Sequence, residues 1–120
     1  YTAIVLTEAA SESMQGKRAV ACVLRNRRWN LNGFYGLKRL DLMEWIRKQP
    51  DSVIEDCRKA VQYAALGGYD VTEGATNFES IHFKIPYWAN KMRVTARIGR
   101  HIFYVDRNVP SWHNTSDEKD

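Results

Sequence analysis

Two carboxylates stand four residues apart near the start of the chain, in Thr7-Glu8-Ala9-Ala10-Ser11-Glu12-Ser13, directly after the apolar run Ile4-Val5-Leu6. A carboxyl among apolar neighbours has its charged form disfavoured, so its affinity for a proton rises. A carboxyl that holds its proton near neutral pH is what a general acid requires. Paired carboxylates also serve glycoside hydrolysis, about 5–5.5 Å apart for retention and farther apart for inversion. On one regular helix, Glu8 and Glu12 would have Cβ atoms roughly 6 Å apart. The small residues between them argue against one continuous helix. Plainer readings stand beside these. Glu8 would be a solvated helix glutamate, and Glu12 a loop carboxylate capping the helix that follows.

The elements that must position these groups are mostly helical. Residues 3–10 read as a short helix. A longer one runs from Ser13 or Met14 to about Arg28, with Ala19, Val20, Cys22 and Val23 as its core face and Arg25, Arg27 and Arg28 near its end. Cations are favoured there by the helix dipole. Asn30-Leu31-Asn32-Gly33 is turn chemistry. Residues 40–48 read as a short amphipathic helix built on Leu42, Met43, Trp45 and Ile46, stopped by Pro50. Ser52-Val53-Ile54-Glu55 has capping-box form, and Val53, Cys57, Ala60, Val61 and Ala64 then recur at helical spacing. Gly67-Gly68 ends that helix. Residues 70–85 have no helical period and read as loop with short extended pieces. Residues 94–98 and 101–105 flank Gly99-Arg100 and predict a hairpin. Residues 111–120 read as a polar, frayed end.

Composition sets the bounds. The chain has 120 residues, 44% hydrophobic and 27% charged, which fits one globular domain with one modest core. No apolar run approaches the roughly 20 residues of a membrane span. The first residue is Tyr1, so the chain reads as trimmed or processed, with any signal or anchor outside it. The net charge of +4 suits an anionic polymer, cell wall and nucleic acid alike. Cys22 and Cys57 sit on apolar helix faces and read as two buried free thiols.

Three blocks carry a resemblance. The first is Glu8-Ala9 through Glu12 and Gly16 to Ala19-Val20-Ala21-Cys22-Val23 and Asn26-Arg27. The second runs from Gly68-Tyr69-Asp70 through Gly74-Ala75 to Phe78. The third is Trp88-Ala89-Asn90 with Ile98-Gly99-Arg100-His101-Ile102-Phe103-Tyr104. Together they resemble the cell-wall hydrolase family of the bacterial spore-cortex-lytic enzyme type. The resemblance implies an α+β, mainly helical, compact lysozyme-like domain over residues 1–108, with a small C-terminal β-hairpin and a polar tail at 109–120. It implies a lytic transglycosylase that cuts the MurNAc–GlcNAc bond of peptidoglycan and leaves 1,6-anhydromuramic ends. The family's catalytic acid falls on Glu8, with Glu12 in support. The chain departs from the family at Ser11, where a glycine is usual, and at Ser13, where a proline is usual. It departs again at Phe78-Glu79-Ser80-Ile81, where the family has an aromatic-Asn-Pro run.

A glycan groove needs flat apolar faces and polar edges. Asn77, Phe78, Ser80, Tyr87 and Trp88 lie in the irregular region that would build one, with Phe78 and Trp88 also open to a core role. His101 falls in the third block and reads as a residue that locks the hairpin or orients a neighbour. His82, His101 and His113 match no metal spacing, so no metal and no cofactor are expected. The expected partner is peptidoglycan glycan, met by a monomer outside the cytoplasm or carried by a phage. Two rivals remain. One is a hydrolytic muramidase. The other is a non-catalytic basic module for cell wall or nucleic acid, built on Arg25, Arg27, Arg28 and Trp29.

Overall fold

A computed structural model describes residues 1–81 and 85–111. Its helices are α1 (Thr2–Ala9), α2 (Met14–Asn26), α3 (Leu42–Arg47) and α4 (Asp51–Ala65). Its strands are β1 (Asn77–Ser80), β2 (Met92–Ile98) and β3 (His101–Asp106). Single 3-10 segments, Tyr35–Lys38 and Tyr87–Lys91, precede α3 and β2. The expected α+β, mainly helical class with a C-terminal hairpin is what forms.

Helix α1 has no wet face along most of its length. Ile4 and Val5 are fully buried and Leu6 and Ala9 nearly so. Each large side chain so buried contributes on the order of 1.5–3 kcal/mol. They pack against α2, α4 and Phe34 in one cluster with Val20, Leu24, Cys57, Ala60 and Ala64. Helix α2 also serves a second cluster, in which Ala19 and Val23 meet Ala75 and Phe103 of the sheet side. Phe78 packs against both clusters and so ties the sheet to the helices. Cys22 and Cys57 are free thiols in this interior.

The sheet is antiparallel in the order β1-β3-β2. The hairpin pairs Ile98 with His101 across Gly99-Arg100, and a bulge falls between Val94 and Ala96. Gly99 has φ +57°, the left-handed conformation that a tight hairpin turn demands. Strand β1 pairs Ser80 with His101 and Asn77 with Tyr104.

Four local expectations change. Helix α4 begins at Asp51 behind Pro50, with no side-chain cap, so the Ser52 capping box does not form. Proline already fixes the entry, and Glu55 instead pairs with Arg58 at 2.6 Å. Helix α2 stops at Asn26 because Arg28 and Trp29 take φ of +56° and +62°. Helix α3 is shorter than expected and leaves Met43 exposed. The basic cluster is dispersed. Arg25 Nη1 donates to the carbonyls of Ala64 at 2.9 Å and Gly68 at 2.7 Å, closing the end of α4. Arg27 turns into a cleft, Arg28 is exposed, and Trp29 packs on Tyr1 at 5.0 Å between ring centroids. His82, His113 and most of the tail at 109–120 lie outside the described residues.

Arg25 is therefore a helix-closing residue. Arg25→Gln should lower unfolding stability by about 2 kcal/mol, the range for lost hydrogen bonds from a charged donor. Arg28→Gln should stay within about 0.5 kcal/mol, as exposed substitutions do. Urea denaturation of both variants checks this, and equal effects would contradict it.

Candidate active site

The end of α1 opens onto a cleft of about 630 Å³. Glu8 and Glu12 reach it from α1 and the link to α2, and Arg27 from just past α2. Phe34 and Tyr35 come from the segment before α3. Asn77, Phe78, Glu79 and Ser80 contribute the whole of β1. Trp88, Arg100 and His101 line it too, with Ser11 and Gly33 from the helical side.

Glu8 is half-buried, and burial is the main cause that pushes its carboxyl above the ordinary glutamate value. The negative charge of Glu79 pushes it further, and the positive charge of Arg27 opposes both. Among the described residues no side chain or N–H donates a hydrogen bond to this carboxylate. Arg27 is held nearby by its own bonds. Its Nε donates to the Thr76 carbonyl, and its guanidinium lies 4.5 Å from the centre of the Phe34 ring. Burial draws the Arg27 guanidinium below its ordinary value, and Glu8 counters this.

Glu12 is placed differently. Its side chain is only 7% exposed. Its Oε1 accepts the Arg100 N–H at 2.8 Å, across 88 residues of sequence. Two glycines make room for it. A Cβ on Gly16 would come within 2.8 Å of the Glu12 Cβ, and one on Gly99 would overlap Oε1. Helix α2 is capped by Ser13, whose Oγ accepts the Gly16 N–H at 3.2 Å. Glu12 thus clamps the hairpin turn onto the α1–α2 link, and the capping role belongs to its neighbour. The clamp also seats His101, whose Nδ1 lies 3.6 Å from Glu12 Oε1. His101 is buried edge-on to Phe78, with centroids 5.0 Å apart. Burial pulls its pKa down, against the charges of Glu12 and Glu79.

Strand β1 is delivered by a loop that Asp70 organises. Its Oδ1 accepts from the Thr72 N–H and hydroxyl, and its Oδ2 from the Gly74 N–H and the Asn26 amide. Buried donors are thereby satisfied on the approach to the cleft.

Of the residues expected at the site, Glu8, Glu12, Asn77, Phe78, Ser80 and His101 line one cleft. Tyr87 does not. It is 91% exposed and borders a separate shallow depression with Ile85, Met92 and Tyr104. The 3-10 segment explains this, since successive side chains there turn by about a third of a revolution. Trp88 takes the cleft position, edge-on to Tyr104 at 5.2 Å. Phe78 is both core and lining. Tyr35, Glu79 and Arg100 also line the cleft, and Arg27, expected in a basic cluster, lies there with them. A strand assignment around Phe78 would have drawn attention to Glu79. Among the described residues, no group of three His, Cys, Asp or Glu is placed to hold a metal, and no helix is long and apolar enough to cross a membrane.

The raised Glu8 pKa has a consequence for stability. A carboxyl that binds its proton more tightly folded than unfolded favours the fold below its unfolded pKa, and that contribution is lost as pH rises through the folded pKa. Above the folded pKa the charged, desolvated Glu8 therefore weakens the fold. Glu8→Gln should unfold at higher urea than wild type at pH 7, with the difference shrinking as pH falls below the ordinary glutamate range. A variant less stable than wild type at pH 7 would contradict this placement.

No family model matches the chain, and no curated protein matches it in sequence. Solved structures do. The catalytic domain of the Bacillus cereus SleB protein superposes with a TM-score of 0.58 at 20% identity, covering 87% of this chain and 85% of that one. The catalytic domain of the germination-specific lytic transglycosylase SleB from Bacillus anthracis does so with a TM-score of 0.63 at 26% identity, covering 87% and 89%. The chain therefore has the fold of the SleB catalytic domain, the spore-cortex-lytic type of cell-wall hydrolase that its three sequence blocks resemble.

Proposed function

We propose that this domain is a peptidoglycan lytic transglycosylase that cleaves the MurNAc–GlcNAc bond, with Glu8 as both acid and base. The observation that carries the reading is the placement of Glu8. Its carboxyl is drawn out of water at the mouth of a cleft, has no hydrogen-bond donor among the described residues, and is pushed towards its protonated form. The SleB fold supports cell-wall lytic activity in general.

Glu8 gives its proton to the glycosidic oxygen as the bond from the anomeric carbon breaks. The 6-hydroxyl of the same muramic residue then attacks that carbon and returns its proton to Glu8. No water is consumed, and the product is a 1,6-anhydro sugar. Phe78, Trp88 and Tyr35 offer aromatic faces for sugar rings, and Asn77, Ser80 and Arg27 offer polar groups for their edges. The net charge of +4 favours an acidic wall polymer. A substrate of this kind places the enzyme outside the cytoplasm or in a phage. A hydrolytic muramidase is the second reading, favoured by Glu79, which puts another carboxylate in the cleft.

Mass spectrometry of digested peptidoglycan separates the two. The account expects anhydromuramic ends, lighter by one water than reducing ends. Glu8→Gln should reduce release of soluble fragments by about 10²–10⁴-fold, the range for losing a general acid. Near-wild-type activity in Glu8→Gln would overturn the assignment.

A further inference from the structure

The chain departs from the family where it carries Phe78-Glu79-Ser80-Ile81 in place of an aromatic-Asn-Pro run. That departure falls on β1, inside the cleft. Strand β1 runs antiparallel to β3 with Glu79 opposite Ile102. Glu79 and Glu8 line the same cavity from two different elements. The Glu79 carboxylate is held against its own strand, its Oε1 accepting the Ser80 N–H at 2.9 Å.

We propose that Glu79 is a second acidic group of the reaction, whose negative charge stabilises the positive charge that develops at the anomeric carbon when the glycosidic bond breaks. This rests on the lytic reading above and adds to it a residue that the family pattern does not supply. Cleavage of a glycosidic bond passes through an oxocarbenium-like state. A fixed charge in a partly dry cleft acts on such a state more strongly than it would in water. In the balance of the reaction Glu79 gains and loses nothing. The proton travels from Glu8 to the leaving oxygen and from the 6-hydroxyl back to Glu8, while Glu79 remains an anion throughout.

The two carboxylates divide the labour. Glu8 lacks hydrogen-bond donors among the described residues and is pushed towards its neutral form, by burial first and then by Glu79. A neutral acid and a nearby anion are the complementary pair that glycoside cleavage uses. Among the described residues, the other ionisable groups around the cleft are Glu12 from the α1–α2 link, Arg27 from beyond α2, and Arg100 and His101 at the start of β3. Glu12 is shut away, its side chain only 7% exposed, and ties two distant segments through the Arg100 N–H, whereas Glu79 accepts only from its own strand neighbour among the described residues. Arg27 opposes the effect of Glu79 on Glu8. Glu79 is therefore the carboxylate left to act on the substrate.

The test compares wild type, Glu79→Gln, Glu79→Asp and Glu8→Gln on purified peptidoglycan glycan strands. Rates are followed across pH, products by mass, and folding by urea denaturation. Glu79→Gln should lower kcat by about a hundredfold with little change in KM, in the range for losing one electrostatic stabiliser. It should also move the alkaline fall of the rate to lower pH, because Glu8 loses a neighbour that raises its pKa. Glu79→Asp keeps the charge and should recover most of the rate and the pH profile. Wild-type kcat and pH profile in a folded Glu79→Gln, with Glu8→Gln inactive, would overturn this proposal and leave the lytic reading standing. Hydrated reducing ends that vanish in Glu79→Gln would make Glu79 a base for water and overturn it too. An active Glu8→Gln would sink the lytic reading itself.

Discussion

A carboxylate partly withdrawn from water at the end of a helix whose apolar residues are buried is the constraint on which this structure turns. Helix α1 has eight residues, too few to be stable as an isolated helix in water. It exists because α2, α4 and Phe34 close over Ile4, Val5, Leu6 and Ala9. The same packing that makes the helix also removes water from around Glu8. Fold stability and proton affinity thus share one origin. Loosening the α1 contacts would lower both.

The second constraint joins distant parts of the chain at that helix end. Glu12 follows α1 directly and receives the Arg100 N–H from the hairpin turn. Gly16 and Gly99 are glycines because a Cβ at either would collide with the Glu12 side chain. The clamp sets where β3 begins and therefore where His101 lies. Through the pairing of β1 with β3 it also sets where Glu79 stands relative to Glu8. The Asp70 loop feeds β1 from the other side, tied to the end of α2 by Asn26. The cleft is thus framed by contacts between segments far apart in sequence.

That origin decides what was legible in the residues alone. Helices with a buried stripe announce themselves by period, and α2 and α4 were placed to within a few residues. The hairpin was readable because Gly99-Arg100 separates two β-rich runs. Glu8 was visible because Ile4-Val5-Leu6 precedes it. Strand β1 was not resolved as a strand, since four residues with three polar side chains and no fully buried one give no clear alternation. The role of Arg25 was hidden because its acceptors, Ala64 and Gly68, are about 40 residues away. Tyr87 was expected in the cleft ahead of Trp88, and the reverse holds because the 3-10 turn that separates them is fixed by its tertiary setting. Glu12 was seen as important, but its partner across the chain was not readable.

The central claim is that desolvation at the end of α1 makes Glu8 the proton carrier of the reaction. The most direct measurement is the titration of the Glu8 side-chain carboxyl by carbon-13 NMR, set beside the pH dependence of kcat/KM. The account predicts that Glu8 titrates above the ordinary glutamate range and that its midpoint coincides with the alkaline fall of the rate. A Glu8 that titrates at or below the ordinary range, while the rate falls at some other pH, would contradict it.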